Sequence, residues 1–221
     1  MKASEWIRIA QATARTVADS ERTEEIHVFE EITGRGHYRA YLARHGADPE
    51  VRALLGARPE LSSAQVDYDA LRALPATTLG GAYVRHLDDN GLTADYQAAP
   101  TRYVDDPDMA YLMRRFRQVH DVWHALTGLG TRPHEEVLIH AFSWGQLRLP
   151  VSASVVVAGT IKHIVLERRW PALRRGLWEA YTIGRDATPL LAVHWETMWS
   201  DPIDDVRARY GVQTCTPAFV T

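Results

Sequence analysis

Cysteine is almost missing from this chain of 221 residues. Cys215 stands alone near the end, which rules out an intramolecular disulfide and a cysteine-based zinc cluster. A basic excess is missing too. The formal net charge is -3, and a chain that neutralises phosphates along a groove needs a cationic face, so nucleic acid is not expected as a partner. There is no long uninterrupted apolar run. The most apolar stretch, VSASVVVAGTIKHIVL from Val151 to Leu166, is broken by Lys162 and His163 and falls short of the roughly 20 residues that span a bilayer. Two readings fit it: a buried helix, or a helix that lines a lipid-tail pocket or lies against a membrane surface. The N-terminus, MKASEWIRIAQATARTVADSER, has no continuous apolar segment of the secretory kind, and its acids Glu5, Asp19 and Glu21 suit a transit peptide poorly. These absences point to a cytoplasmic protein, with any membrane contact peripheral and on the inner face. Internal repeats, low-complexity tracts and a clear interdomain linker are lacking as well.

Strand patterns are scarce, and what is present reads as amphipathic helix cut by Gly and Pro. The fold class expected is all-α: residues 1–221 as one domain, a multi-helix bundle with a metal-binding helical hairpin. The spacing predicts helices over Ser4–Ser20, over Glu24–Ile32 with a break at Gly34 and Gly36, and over Tyr38–Arg44 with a stop at Gly46. Pro49–Leu55 enters on Pro and exits at Gly56. Pro75 closes a short helix. Thr77 or Thr78 caps the next, which ends at Asn90-Gly91. Residues 93–104 read as a polar connection. Asp105 or Asp106 caps a long helix that stops at Gly128, and Thr131 caps another running to about Arg148. Pro150 opens the apolar helix, Pro171–Asp186 forms one more, and the C-terminal stretch reads as two helices split at Asp201-Pro202.

The long helix carries the chemistry. At about 100° per residue, with His120 at zero, His124 falls at about 40° and Asp121 at about 100°. Met109, Leu112, Met113, Phe116, Trp123 and Thr127 form the adjoining apolar stripe, so three possible ligands sit at the edge of the buried face. The following turn is centred near Gly130, and Glu136 mirrors His124 across it, so the two stand at similar heights in an antiparallel hairpin. Two imidazoles with one or two carboxylates form a mixed N/O donor set that suits zinc, Fe(II) or Mn and leaves room for water or substrate. The bland alternative is a helix with two solvent-edge histidines and an Asp. Four such groups converging away from water would be costly without a cation. Arg117, at about 60° on the same wheel, can pair with Asp121 or hold a substrate carboxylate or phosphate. His140 mirrors His120 across the hairpin and is a further ligand, a hydrogen-bond partner that orients a ligand, an acid/base, or a satisfied core histidine.

The segment RRFRQVHDVWHALTGLGTRPHEEVLIHAF resembles the ubiquinone (coenzyme Q) biosynthesis protein 4 family, whose His-Asp-x-x-His is followed after eleven residues by Glu. Here those positions are His120, Asp121, His124 and Glu136. LPATTLGGAYVRHLDDNGL looks like the family's LP-x-x-TLG-x-AY block, and HWETMWSDPIDDVRARYGV looks like its ending. The resemblance covers roughly Leu74 to Val212. One departure is Glu135, where the family often has Gly.

The resemblance implies a divalent metal, usually zinc, on the four motif residues as metal ligands and catalytic groups; Arg117 and His140, by their places on the hairpin, are the candidates for substrate binding. It also implies a prenylated aromatic or quinone precursor as ligand, peripheral membrane contact, a homodimer, and association with other ubiquinone-biosynthesis enzymes. The activity it implies is oxidative decarboxylation and hydroxylation at ring carbon one of a prenylated 4-hydroxybenzoate. The alternatives are a non-catalytic prenyl-lipid-binding scaffold, related chemistry on a non-ubiquinone aromatic, and an unrelated helical metal phosphohydrolase for which His86 and Asp186 are the available extra ligands.

Overall fold

Wherever the chain carries a capping residue before a helical pattern and a left-handed residue after it, a helix forms. A computed structural model describes residue 8 and residues 23–95, 103–167 and 170–216. The helix expected over Ser4–Ser20 lies outside them, apart from Arg8. Among the described residues there are nine α-helices, short 3-10 stretches at 94–95 and Trp195–Thr197, and no strand, so the all-α class is what the chain adopts. They are α1 (Thr23–His45), α2 (Pro49–Ala57), α3 (Tyr68–Ala73), α4 (Leu79–Asn90), α5 (Pro107–Thr127), α6 (Pro133–Leu147), α7 (Pro150–Glu167), α8 (Trp170–Asp186) and α9 (Ile203–Tyr210). No described helix is long and apolar enough to cross a membrane.

Several boundaries differ from the sequence pattern. Gly34 and Gly36 do not break α1, which runs on as one helix to His45. A glycine inside a helix costs about 1 kcal/mol against alanine, and tertiary contact offsets that. At Gly34 the ring of Tyr38 lies 3.2 Å from where a Cβ would be, so the small residue seats the tyrosine. Gly56 likewise lies within α2, whose cap is Arg58 in the left-handed region. The N-cap of α6 is Arg132, not Thr131, whose hydroxyl bonds to Asn90. Of the two C-terminal helices expected, the first is only the 3-10 turn Trp195–Thr197. The buried-helix reading of the apolar stretch holds only at its start. Val151 and Ser152 are buried, whereas Val157 and Ile161 on α7 face outward.

One continuous core runs from Tyr38 to Cys215. Its axis is α5, on which Leu112, Val119, Val122, Trp123 and Leu126 are fully buried, each such side chain contributing about 1.5–3 kcal/mol. α6 and α8 approach until backbones nearly touch. A Cβ on Gly184 would lie 2.2 Å from the Phe142 carbonyl, and one on Gly145 would lie 2.5 Å from that of Tyr181. The segment between α8 and α9 returns to α4. Leu79 N donates to Asp201 O at 2.9 Å, Gly80 N to Trp199 O at 2.8 Å, and Ile203 N to Thr77 O at 2.8 Å. The first two bonds satisfy the first amides of α4 and the third that of α9, groups which a helix start otherwise leaves open. Tyr83 stacks on Trp199 at 5.4 Å. From α5, Arg115 reaches Val193 O and the Glu196 carboxylate, anchoring the same segment.

Candidate metal centre

α5 is fixed at both ends. The Asp106 carboxylate accepts from Asp108 N and Met109 N, Pro107 occupies the first turn, and Gly128 at φ 72° closes the helix with its amide on His124 O. Leu129 then returns its carbonyl to the helix it has just left, and His124 Nδ1 donates to it at 3.0 Å. Glu135 spends its carboxylate on the amide of Arg132 at 3.2 Å, closing the entry to α6. Gly130 leaves room for that carboxylate, since a Cβ there would sit 2.9 Å from it. The departure from the family pattern at Glu135 thus has a structural role, and Glu136 is left to face α5.

The hairpin brings the predicted residues together. His124 Nε2 lies 3.6 Å from Glu136 Oε1, and His120 Nδ1 lies 3.6 Å from Asp121 Oδ1. One donor atom each from His120, His124 and Glu136 fall within 4.8 Å of one another. His140 joins them, its ring 5.3 Å from that of His120. The cluster is drier than a helix edge implies: the His124 side chain is 1% exposed, and Glu136, at 35%, is the most open of the four motif residues.

The electrostatics follow from that burial. His124 is held neutral, well below the usual imidazole range, by desolvation and then by the neighbouring His120 and His86. His140 is pushed down to about 3 by desolvation and by His120. His120 goes the other way. Burial opposes its charge, but the carboxylates of Asp121 and Glu136 outweigh that and raise it.

This arrangement fits a cation. Because Nδ1 of neutral His124 carries the proton it gives to Leu129, Nε2 presents a lone pair, and it faces a carboxylate oxygen. Two electron-rich atoms at that distance repel unless a positive charge stands between them. Tetrahedral zinc ligands stand about 3.4 Å apart, close to the spacing seen. Buried polar atoms without a partner also concentrate here: among the described residues, His120 Nε2, Asp121 Oδ2, His140 Nδ1 and His86 Nε2 have none. Buried groups of this kind are costly when unsatisfied.

Other residues fall differently from the sequence pattern. Arg117 is tied to α1: its Nε donates to Glu30 at 2.9 Å and its Nη2 to Glu31 at 3.0 Å, all three side chains being 3% exposed. Tyr38 donates to the other oxygen of Glu30, and the amide of Tyr103 to Glu31. Asp186 pairs with Arg185 on the surface, apart from the cluster. His86 does reach it. Its ring stacks on His124 at 4.7 Å and 18°, and one atom each from His86, Asp121 and His124 lie within 4.8 Å. The spacing held a signal for His86: Leu79, Tyr83, His86, Leu87 and Asn90 share an arc of about 100° on α4. Glu30 and Glu31 are adjacent acids amid apolar Phe29 and Ile32, and nothing local names their partner. A cavity of about 310 Å³ opens elsewhere, among His37, Tyr41, Arg44, Arg148 and Arg185.

Comparison with known proteins places this architecture. The family profile described as coenzyme Q (ubiquinone) biosynthesis protein Coq4 matches residues 2–216. The mitochondrial ubiquinone biosynthesis protein COQ4 of Coprinopsis cinerea is 32% identical over 166 residues, 75% of this chain, and the match spans only 56% of that relative. The mitochondrial COQ4 homologues of Drosophila ananassae and Bos taurus are 31% and 32% identical, each over 92% of this chain and 76% of the relative. A crystal structure of a protein assigned to ubiquinone biosynthesis from Nostoc punctiforme superposes with a TM-score of 0.71, covering 94% of this chain and 96% of that one, at 24% identity. That likeness is one of fold. The cytoplasmic, inner-face placement expected from the sequence is corrected here, because these relatives are named mitochondrial. Charge near the N-terminus was a poor guide to compartment.

Proposed function

Because this chain belongs to the coenzyme Q (ubiquinone) biosynthesis protein Coq4 family, we propose that it acts in ubiquinone-type biosynthesis as a metal-dependent oxidative decarboxylase and hydroxylase of a prenylated 4-hydroxybenzoate-type acid. The observation that carries this reading is the convergence of His120, His124 and Glu136, with Asp121 beside them, in a cluster that is dry at His124 and open at Glu136. Those four residues would hold the ion, zinc being the first candidate and Fe(II) or Mn the others. A bound ion supplies Lewis acidity toward a carboxylate or phenolate oxygen. Replacing a ring carboxyl by hydroxyl releases carbon dioxide and removes two electrons, so an external oxidant such as dioxygen is part of the reaction.

The chain's own residues supply position and dryness. Leu129 O holds His124 in one tautomer. His140 offers an unpartnered ring nitrogen beside His120, placed to meet a substrate oxygen. Arg117, gripped by Glu30 and Glu31, is a fixed positive charge one turn before the imidazoles. The tail of a prenylated precursor needs an apolar surface, and the exposed side chains of α7 and α8, Val157, Ile161, Trp170 and Trp178, are its candidates, with Arg174, Arg175 and Glu179 around Trp178. We assign peripheral membrane contact to that face. A homodimer and contacts with other biosynthetic enzymes belong to the same reading.

A second reading, a non-catalytic lipid-binding scaffold, rests on that same exposed apolar face. One experiment separates the two. His120→Ala and Glu136→Ala are checked for helical content and assayed for turnover of the prenylated acid. Folded variants without turnover support the enzyme. Full turnover in a folded variant overturns it, and activity on another prenyl-free aromatic acid alone points to a different substrate.

A further inference from the structure

The four motif residues lie on α5 and α6, yet a third wall closes the same space. α4 carries His86 there, its start fixed by Thr78 and its end by Gly91. The ring of His86 lies flat on that of His124 at 4.7 Å and 18°. A nitrogen of His86 and a carboxylate oxygen of Asp121 come within 4.8 Å, and buried His86 Nε2 and Asp121 Oδ2 each lack a hydrogen-bond partner among the described residues. Resting on the metal reading above, we propose that His86 is a positioning residue of the centre, donating its N–H to Asp121 while its ring packs on His124.

The parallel rings decide between this role and that of another ligand. Imidazole lone pairs lie in the ring plane, so those of two stacked rings run side by side and do not converge on one ion. An N–H in the His86 plane can instead close on Asp121 Oδ2 and leave Oδ1, beside His120, as the oxygen turned to the cation. Partners that hydrogen-bond ligating carboxylates fix their orientation and are worth about 10–100-fold in metal affinity. If His86 did no more than pack against His124, phenylalanine would serve as well.

The test is titration of the wild type, His86→Phe, His86→Leu and His86→Gln with Co(II) and with Zn(II), following affinity and the visible Co(II) spectrum. Circular dichroism qualifies each variant as folded. The expected result is a 10–100-fold weaker affinity and an altered Co(II) spectrum for both nitrogen-free variants, with partial recovery in His86→Gln, which keeps a donor. Wild-type affinity and spectrum in folded His86→Phe or His86→Leu overturn the role of His86 and leave the metal reading standing. A wild type that binds neither ion, or binds it equally well after Glu136→Gln, overturns the metal reading and this proposal with it.

Discussion

Arg117 is the residue on which the most buried charge depends. One guanidinium holds two carboxylates from α1 where none of the three reaches water appreciably. Removing one partner of a buried pair leaves an uncompensated charge, at a cost of about 3–5 kcal/mol. Arg117→Ala is therefore expected to lose stability on that order in urea denaturation, with Arg117→Lys between it and the wild type because lysine lacks the planar fork. The same guanidinium acts on His27. Desolvation, and then Arg117, lower that imidazole to about 4 from an ordinary 6.5. Between those values the unfolded chain binds more protons than the folded one, so stability falls as pH drops from 6.5 toward 4. Melting temperatures at pH 7.5 and 5.0 should show that slope, and His27→Gln should reduce it. None of this was legible from spacing. His120, His124 and Glu136 were, because a helix places i and i+4 together and a hairpin mirrors positions about its turn. The partners of Arg117 and the place of His86 depend on how distant helices pack, which no local period encodes.

At the scale of elements, most helix starts and stops could be read from Asp106, Thr78, Gly91 and Gly128, whose side chains or positive φ act on their own neighbours. The errors came where a local preference met a tertiary demand. Gly34 reads as a breaker in isolation and is a seat for Tyr38 in the fold. Gly184 makes the converse point, since its small size matters only once α8 lies against α6. Gly184→Ala places a methyl within 2.2 Å of the Phe142 carbonyl. Overpacking of this kind costs about 1–3 kcal/mol, so the expected outcome is a lower melting temperature with helical content retained, read by circular dichroism. If the variant melts like the wild type, the two backbones are not held that close. The apolar helix α7 was ambiguous for a reason of composition: a run rich in valine and alanine has no polar face to say which side is out.

For the whole molecule, the outward face of α7 and α8 is where a membrane reading is most exposed to test. Trp178, 66% exposed, stands beside Arg174, Arg175 and Glu179, a net positive surround. Tryptophan favours the headgroup boundary and arginine favours anionic lipid. The wild type is expected to co-sediment with vesicles containing phosphatidylglycerol, less so at high salt. Trp178→Ser should lower the bound fraction several-fold, and equal binding by the variant would remove this face as the contact.

The bonds from Trp199 and Asp201 to the first amides of α4 carry a different consequence. During synthesis the ribosome delivers all four motif residues well before that fastening segment. A nascent chain paused after α6 would therefore present its imidazoles and carboxylates with the third side of their enclosure still unpinned, and such late, long-range closure is slow. On the metal reading proposed above, that interval is one in which an ion would be taken up wrongly or lost. Loading would then follow translation of the 3-10 turn, when the segment after it has tied itself back to the start of α4.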